Sequence, residues 1–439
     1  MKLKILIILF SFFYLQINSQ EKLNLKKATE LTLENNLNIK IYENFEKISS
    51  NNASILNSGY LPRINAGTDL IKSNQSVEIK TPSGLEGTLD NIESDSNSAN
   101  ISLNFIIVDG MGRNFNYRKS KELLNKSKLE VTEVIENTIF QLYTVYFEAS
   151  RLIEEHNIYK NNLAISKRRL ERKELEMEYG QSTSLEVLNA EVDFKNDSIN
   201  LLNTSSNLSN VKRDLNLIMN VDSQKTFELV TNIDFLNFDD LNTAYSRAKE
   251  NNTSLKIDDK NVSISKNEMK ATKSTYLPTI GLIGNYGWNE SINDNPYAFF
   301  NKNINEGFSG GLSLSWDIFN SGRKIISNKN AKIRYENSKI EKERKINIFF
   351  NELNNLYQTH TNNLYIFEVQ KKNLETNKLN FERNLEQYKL GRLSSIQFRD
   401  AQLKLQKAEL QKNTSKYNAK LSEIALMKIS GQIITKSYK

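Results

Sequence analysis

The chain repeats itself, and this repeat constrains the architecture more than any single residue does. Three motifs recur in the same order: Glu34-Asn35-Asn36 as Glu250-Asn251-Asn252, Tyr60-Leu61-Pro62 as Tyr276-Leu277-Pro278, and Gly112-Arg113 as Gly322-Arg323. The first two motifs are offset by 216 residues and the third by 210, so one copy has a shortened loop. A repeat of this length indicates two copies of one structural unit. It also disfavours an enzyme, because an active site seldom needs two similar copies of a whole domain.

The first residues have the pattern of an export signal. Lys2 and Lys4 precede an apolar run of 11 residues from Ile5 to Leu15, and Ser19 supplies a small residue for cleavage. The run is too short to cross a bilayer as a helix, so we expect residues 1–19 to be removed. The chain has no cysteine, which excludes a disulfide framework.

Composition favours long helices over a thick core and disfavours nucleic acid as a partner. Hydrophobic residues make up only 38% of the chain, and there are only 4 prolines. The formal charge is +7, but the 59 basic residues are interspersed with 52 acidic ones. A nucleic-acid site requires basic residues clustered on one face.

The repeat predicts four segments after the signal. These are a first helix-hairpin-helix unit at 20–220, a linker at 221–240, a second unit at 241–431 and a tail at 432–439. Each unit reads helix, strand, polar loop, strand, very long helix, tight turn, helix. We predict the first helices from Leu25 to Gly59 and from Leu241 to Tyr276. The strand-entry residues Tyr60, Pro62, Tyr276 and Pro278 follow, because a residue before proline is pushed toward extended geometry.

The predicted strands alternate apolar and small polar residues over about ten positions, a length that suits a tilted membrane strand. We predict that six residues face lipid: Ile101, Leu103, Phe105, Leu312, Leu314 and Trp316. The polar segments 73–98 and 289–307 are predicted as loops. The alternative is a soluble hairpin packed on its own helices. Four strands per chain cannot close a barrel, since bacterial barrels need at least eight, so the membrane interpretation requires several copies of the chain.

Two very long helices are predicted from Asn116 to Gly180 and from Arg323 to Gly391, with no internal proline or glycine. At 1.5 Å per residue each would span roughly 100 Å. Apolar residues recur every three or four positions, which is typical of a coiled-coil seam. Two half-length helices, Leu25 to Gly59 and Ser184 to Asn220, together match one long helix.

The ordered motifs resemble those of the TolC-type outer-membrane efflux proteins over nearly the whole mature chain. The resemblance rests on Glu-Asn-Asn, Tyr-Leu-Pro, the segments 109–113 and 320–323, and the turns 179–183 and 388–394. It implies an α+β membrane protein in which long antiparallel coiled coils form a periplasmic α-barrel. Four strands per chain would contribute to a trimeric 12-stranded outer-membrane β-barrel, and two tandem structural repeats would make up each chain.

The resemblance also implies partners and a gate. The expected partners are two further copies of the chain, a periplasmic adaptor (membrane fusion protein), an inner-membrane pump of RND or ABC type, and outer-membrane lipid. Acidic residues after the second turn ring the periplasmic aperture of such proteins, and here Asp400 and Gln397 stand at those positions. Such proteins also have an arginine two residues after the turn glycine, where this chain has Leu393.

Several residues carry a functional and a structural interpretation. Asp400 and Glu186 would form acidic rings at the gate or be ordinary solvated acids. The residues at the two turns would form hairpins and contact the adaptor: Tyr179, Gly180, Tyr388, Gly391 and Arg392. Two histidines, His156 and His360, lie in apolar seams and are predicted as packed side chains rather than metal ligands. No cofactor, metal site or catalytic motif is predicted.

The function that follows is a passive exit duct for efflux or type I secretion. We expect it in the outer membrane of a Gram-negative bacterium, extending into the periplasm. The alternative from another class is an exported coiled-coil structural or adhesive protein without channel activity.

Overall fold

The computed structural model describes residues 22–82, 84, 86–236, 241–296 and 298–434. The predicted signal segment 1–19 lies outside these residues, as does part of the predicted linker and tail. The described residues form two compact units: those within 1–43, 129–256 and 344–439 make up unit 1, and those within 44–128 and 257–343 make up unit 2. None of the described helices is both long and apolar enough to span a membrane.

The elements follow the repeated order that the sequence predicts. The helices are α1 Leu25–Asn35, α2 Leu37–Asn52, α3 Gly112–Glu178, α4 Ser184–Met219, α5 Leu241–Asn251, α6 Thr253–Ser274, α7 Arg323–Lys389 and α8 Ser395–Ile429. The strands are β1 Lys22–Leu23, β2 Arg63–Lys80, β3 Glu86–Val108, β4 Glu228–Leu229, β5 Thr279–Asn293 and β6 Lys302–Ser315. Both long helices, α3 and α7, have 67 residues, which confirms the two very long helices.

The first helix of each copy is not continuous, and the prediction of single helices at 25–59 and 241–276 is wrong. Each breaks at the last asparagine of the Glu-Asn-Asn motif. Asn36 has extended backbone with ψ 123°, and its side-chain oxygen accepts from the backbone N–H of Asn38 at 2.9 Å. Asn252 accepts in the same way from Leu255 at 3.0 Å. An asparagine that caps a new helix ends the previous one, because its own backbone is not helical.

The same two asparagines close each copy in unit 1. The side-chain amide of Asn36 donates to the Ile218 carbonyl at 3.0 Å, near the end of α4. Asn252 donates to the Ile429 carbonyl at 2.9 Å, at the end of α8. The helix ends are matched as well, because Asn220 and Gly431 both have left-handed backbone with φ of 49° and 67°. In each copy, the last asparagine of the Glu-Asn-Asn motif therefore joins the first helices of the copy to its last helix by a hydrogen bond.

The strands of unit 2 form one antiparallel sheet in the order β2-β3-β5-β6. They have 18, 23, 15 and 14 residues, so the predicted length of about ten is too short. Most of the segments 73–98 and 289–307, predicted as loops, is paired strand. The ladder uses backbone groups and tolerates polar side chains, which add contacts of their own. Lys72, for example, lies 3.5 Å from Glu93 across the hairpin.

A buried tyrosine contacts the two-residue parallel pairing of β1 with β4. The Tyr146 hydroxyl lies 2.9 Å from both the Leu23 carbonyl and the Val230 carbonyl. Tyr146 is 2% exposed, and burial raises its pKa to about 12. This hydroxyl therefore joins the start of the described chain to the segment between the two copies.

We expect Tyr146→Phe to lower the free energy of unfolding by about 0.5–1.5 kcal/mol, since it removes a buried hydrogen bond. The Leu23 carbonyl keeps the Val230 N–H as a donor. Tyr143→Phe is the matched control. Tyr143 is also buried in this core, but its hydroxyl only accepts a long 3.4 Å bond from Thr29. Chemical denaturation of the purified protein measures both. Equal losses for the two variants would contradict the assigned role of the Tyr146 hydroxyl.

Candidate functional site

The two helix hairpins of unit 1 end in turns of the same construction. Gly180 and Gly391 have φ of 69° and 70°, a left-handed conformation that other residues rarely adopt. After each glycine, a backbone N–H bonds back into the preceding helix: Gln181 to the Glu176 carbonyl, and Arg392 to the Gln387 carbonyl. The chain reverses here because these bonds satisfy the last carbonyls of the helix.

The helices that follow the turns are capped, and two predicted gate residues take part. Thr183 caps α4 by accepting from the Glu186 backbone N–H. The Glu186 carboxylate accepts from the Ser182 hydroxyl at 2.6 Å and from Lys173 at 3.3 Å, and these bonds lower its pKa. Gln397 forms a capping box with Ser394 at the start of α8. Both side chains therefore hold local structure at the hairpin ends.

The structure does not bring the three gate candidates together within one chain. Asp400 is exposed and pairs with Lys404 at 2.6 Å, one turn along α8. Glu186 pairs with Lys173 of α3, while Gln397 bonds to Ser394 within its own cap. In a single chain these residues form separate local contacts rather than one acidic cluster.

Tyr388 packs inside the hairpin end. Its ring stacks on Phe398 at 4.4 Å with an interplanar angle of 5°. The Arg172 guanidinium lies 4.7 Å from the Tyr388 ring and donates to the Tyr388 carbonyl at 3.3 Å. Tyr388 thus contacts both α3 and α8, and packing dominates its environment. Tyr179 of the first turn is instead 78% exposed.

A buried ionic network near the hairpin ends was missed by the sequence reasoning. Arg399 of α8 donates to both carboxylate oxygens of Asp197 in α4, at 2.8 and 3.0 Å. The Ser166 hydroxyl of α3 also donates to Asp197, and Arg169 pairs with Asp193. Asp193 and Asp197 share one face of α4 because they are four residues apart. That spacing was the available signal, but no local pattern names the arginine that pairs with them.

The sheet of unit 2 has two chemically different faces. Opposite residues of an antiparallel ladder share a face. Its register therefore places these residues together on what we call the apolar face: Ile101, Leu103, Phe105, Leu282, Tyr286, Phe308, Leu312 and Leu314. The other face carries small polar residues such as Ser102, Asn285 and Ser309. From Ile280 to Trp288 the apolar face extends ~26 Å along the strand at ~3.3 Å per residue.

The strand-entry residues hold the junctions between helices and strands. Tyr60 packs edge-on against Tyr117 at 6.3 Å, and Arg113 lies 5.0 Å from its ring. The Arg113 guanidinium also donates to the Gly59 carbonyl at 3.1 Å. In the second copy the Trp316 indole donates to the Tyr276 carbonyl at 3.1 Å. Pro62 and Pro278 directly precede β2 and β5.

The two histidines differ in burial. His360 is 4% exposed, and its Nδ1 lies 3.2 Å from the Ser422 hydroxyl. Burial lowers the pKa of His360 and so favours the neutral ring. His156 is half-buried. Within the part of the chain that the structure describes, no group of three or more acidic or histidine side chains could hold a metal ion.

The family model described as "Outer membrane efflux protein" matches residues 29–221 and 244–432. The matched ranges correspond closely to the two copies of the repeat. None of the curated proteins compared with the chain is significantly similar to it in sequence.

Solved structures of outer-membrane channels share the fold. The Campylobacter jejuni CmeC outer membrane channel is similar with a TM-score of 0.79 and 16% identity, covering 94% of this chain and 89% of that one. The Vibrio cholerae outer membrane protein VceC is similar with a TM-score of 0.75 and 12% identity, and the match covers 93% of this chain and 96% of that one. The open state of the Neisseria gonorrhoeae MtrE channel is similar with a TM-score of 0.75 and 14% identity, and the match covers 94% of this chain and 90% of that one. The repeat, the fold and the family match agree, and the chain belongs to the outer membrane efflux protein family, whose members are channels of the outer membrane rather than enzymes.

Proposed function

We propose that the protein is the exit duct of a tripartite efflux or type I secretion system. In this proposal it is a passive trimeric channel through the outer membrane and periplasm. The observation that carries the proposal is the pair of faces on the β2-β3-β5-β6 sheet. A strand wall with an apolar side and a small polar side suits lipid on one side and water on the other. At the ~40° tilt of strands in such walls, the ~26 Å apolar length covers ~20 Å of the roughly 25 Å apolar band.

Several copies are needed to complete this wall. The sheet has four strands, with β2 and β6 at its two edges. Bacterial barrels have at least eight strands, so one chain leaves both edges open. Three chains would supply twelve strands and pair β6 of each copy with β2 of the next, which removes every edge.

The hairpin ends of unit 1 are the proposed gate and adaptor contact. Because a passive duct supplies no energy, it requires an energised inner-membrane pump. A periplasmic adaptor would connect the pump to the duct. The exposed Tyr179 side chain and the tight glycine turns would present a defined surface to that adaptor. Asp400 is exposed and Glu186 is partly exposed, so both are accessible for a charged ring formed across copies. Family membership favours this duct over an exported adhesive coiled coil.

The decisive experiment compares two neighbouring residues on opposite faces of β6. Leu312 is 72% exposed on the apolar face, and Ser313 is on the polar face. An arginine facing lipid near the bilayer midplane costs about 2–4 kcal/mol per chain. We expect Leu312→Arg to abolish assembly of the trimer in the outer membrane. Ser313→Arg should assemble normally and shift the current through planar bilayers toward anions, because it adds positive charge to the water-filled side.

The outcomes separate the duct from its alternative. Stepwise currents from the wild type, loss of membrane trimers in Leu312→Arg and altered selectivity in Ser313→Arg would support the duct. A wild-type protein that stays monomeric and soluble without detergent would contradict it. So would normal membrane assembly of Leu312→Arg.

A further inference from the structure

The polar face of the unit 2 sheet carries two charged residues, Arg63 and Asp69. Its rows of opposite residues pass through every second residue of β2 from Arg63 to Ser73 and continue across β3, β5 and β6. Opposite residues of an antiparallel ladder share a face. Every other member of these rows is asparagine, serine, glycine or isoleucine. Over this stretch the polar face is therefore a neutral wall with one positive and one negative charge per chain.

Neither charge is neutralised by a neighbouring side chain. Arg63 and Asp69 are both exposed and form no ion pair with any residue that the structure describes. The Asp69 carboxylate accepts a hydrogen bond from the Ser98 hydroxyl, at a long 3.5 Å. An ionised group without a partner of opposite charge is strongly disfavoured away from water. Both side chains therefore require a hydrated surface.

Charged side chains on the opposite face of the sheet pair across the strands. Lys72 lies 3.5 Å from Glu93, and Lys302 lies 2.5 Å from Glu290. By the register, all four residues are on the side of the sheet that carries the apolar face. Their charges offset each other within each pair, whereas the two charges of the polar face act on ions in the water beside it.

The two charges of the polar face are too far apart to cancel. Arg63 and Asp69 are six positions apart on β2, which is ~20 Å at ~3.3 Å per residue. At an ionic strength of about 0.1 M, the screening length of salt is about 10 Å. An ion beside one of these residues is therefore governed by that residue and is screened from the other.

We propose that Arg63 and Asp69 set the charge preference of the sheet-lined part of the duct. This inference rests on the proposed function, in which the polar faces of three copies surround water. Each residue then recurs three times, as one ring of positive charge and one ring of negative charge. The Asp69 ring concentrates cations at its own level, and the Arg63 ring concentrates anions. With both rings present the duct conducts ions of both signs, and removal of one ring leaves the preference of the other.

The measurement is the ratio of cation to anion permeability of the purified full-length protein in planar bilayers, under a gradient of KCl. A unit charge about 10 Å away in water changes the local concentration of an ion by about twofold. We therefore expect Asp69→Asn to lower the permeability ratio by about twofold or more, and Arg63→Gln to raise it by about as much. The double variant D69N/R63Q should return toward the wild-type ratio. These shifts should shrink in about 1 M salt, where the screening length is about 3 Å.

Glu306→Gln is the matched control. Glu306 is next to Asn305, whose row includes Asp69, but it lies on the opposite face and accepts from the Tyr286 hydroxyl at 2.5 Å. The variant removes the same charge at nearly the same level and should leave the permeability ratio unchanged. Moving the carboxylate within its own row is the rescue. Ser98 is opposite Asp69, so D69N/S98D should restore the wild-type ratio.

The outcomes distinguish this inference from the proposed function. Opposite shifts in Asp69→Asn and Arg63→Gln, with rescue by D69N/S98D, would support the assignment. Absence of currents from the wild-type protein would overturn the duct and this inference together. Wild-type currents with unchanged ratios in the two single variants would overturn the inference alone, as would equal shifts in Asp69→Asn and Glu306→Gln. An Asp69→Asn protein that fails to form trimers would also overturn it, because the sheet itself would then need the carboxylate.

Discussion

Asp197→Ala should lower the free energy of unfolding by about 3–5 kcal/mol, the usual cost of removing one partner from a buried ion pair. Asp197 is 1% exposed and receives two hydrogen bonds from Arg399, which is 8% exposed. Without it, Arg399 retains the neutral Ser166 hydroxyl at 3.2 Å and one carboxylate, that of Asp193, at 3.5 Å from its Nε. Asp193 already pairs with Arg169, so one carboxylate would face two buried guanidinium groups.

Asp400→Ala is the matched control for this loss. It also removes an aspartate that pairs with a basic residue, but both side chains of the Asp400–Lys404 pair are more than 60% exposed. Exposed pairs contribute about 0–1 kcal/mol, because water and salt screen them. Denaturant unfolding followed by far-ultraviolet circular dichroism compares the two variants. A loss below 1 kcal/mol for Asp197→Ala would show that the network does not stabilise the hairpin ends.

Gly431→Ala should destabilise unit 1 by about 2–4 kcal/mol, which is large for one added methyl group. Gly431 ends α8 with φ +67°, and an added Cβ would lie 2.8 Å from the Asn251 carbonyl oxygen. The left-handed backbone alone costs a non-glycine residue about 1–2 kcal/mol. The clash adds to it, because the two nearest atoms are backbone atoms of Asn251, at the end of α5, rather than the far end of a flexible side chain.

Gly391→Ala isolates the backbone contribution. Gly391 has nearly the same φ, +70°, but a Cβ added there would meet no described atom within 4 Å. This variant should therefore lose only about 1–2 kcal/mol. The difference between the two variants, measured in the same denaturant series, gives the cost of crowding Asn251. Equal losses would mean that the close approach at Gly431 relaxes freely.

The repeat and the long helices were predictable because each leaves a pattern that can be read directly from the sequence. The repeat appears as matched motifs, and the long helices appear as a regular spacing of apolar residues. Matched motifs give the order of elements without any knowledge of contacts. The spacing of apolar residues in the long helices extends over many turns, so α3 and α7 were predicted within a few residues of their observed ends. Glycines at positions 180 and 391 marked the hairpin turns for the same reason.

What the sequence did not reveal depends on partners far along the chain. Arg399 and Asp197 are 202 residues apart, and neither is unusual within its own helix. The polar parts of β2 and β3 do not look like strands, since only the neighbouring strand satisfies their backbone groups. The helices break at Asn36 and Asn252, which both belong to the Glu-Asn-Asn motif. The sequence shows the motif, but it does not distinguish an asparagine that caps a helix from one that faces solvent.

The closing contacts of each copy also bear on the order in which the protein folds. Asn36 and Ile218 are 182 residues apart, and Asn252 and Ile429 are 177 residues apart. Relative to a tight hairpin turn of a few residues, closing so long a segment costs roughly 3 kcal/mol more in chain entropy. The helix hairpins should therefore form early, and the asparagine contacts should form late. A late closure leaves the two ends of each copy apart until the helix hairpins between them have formed.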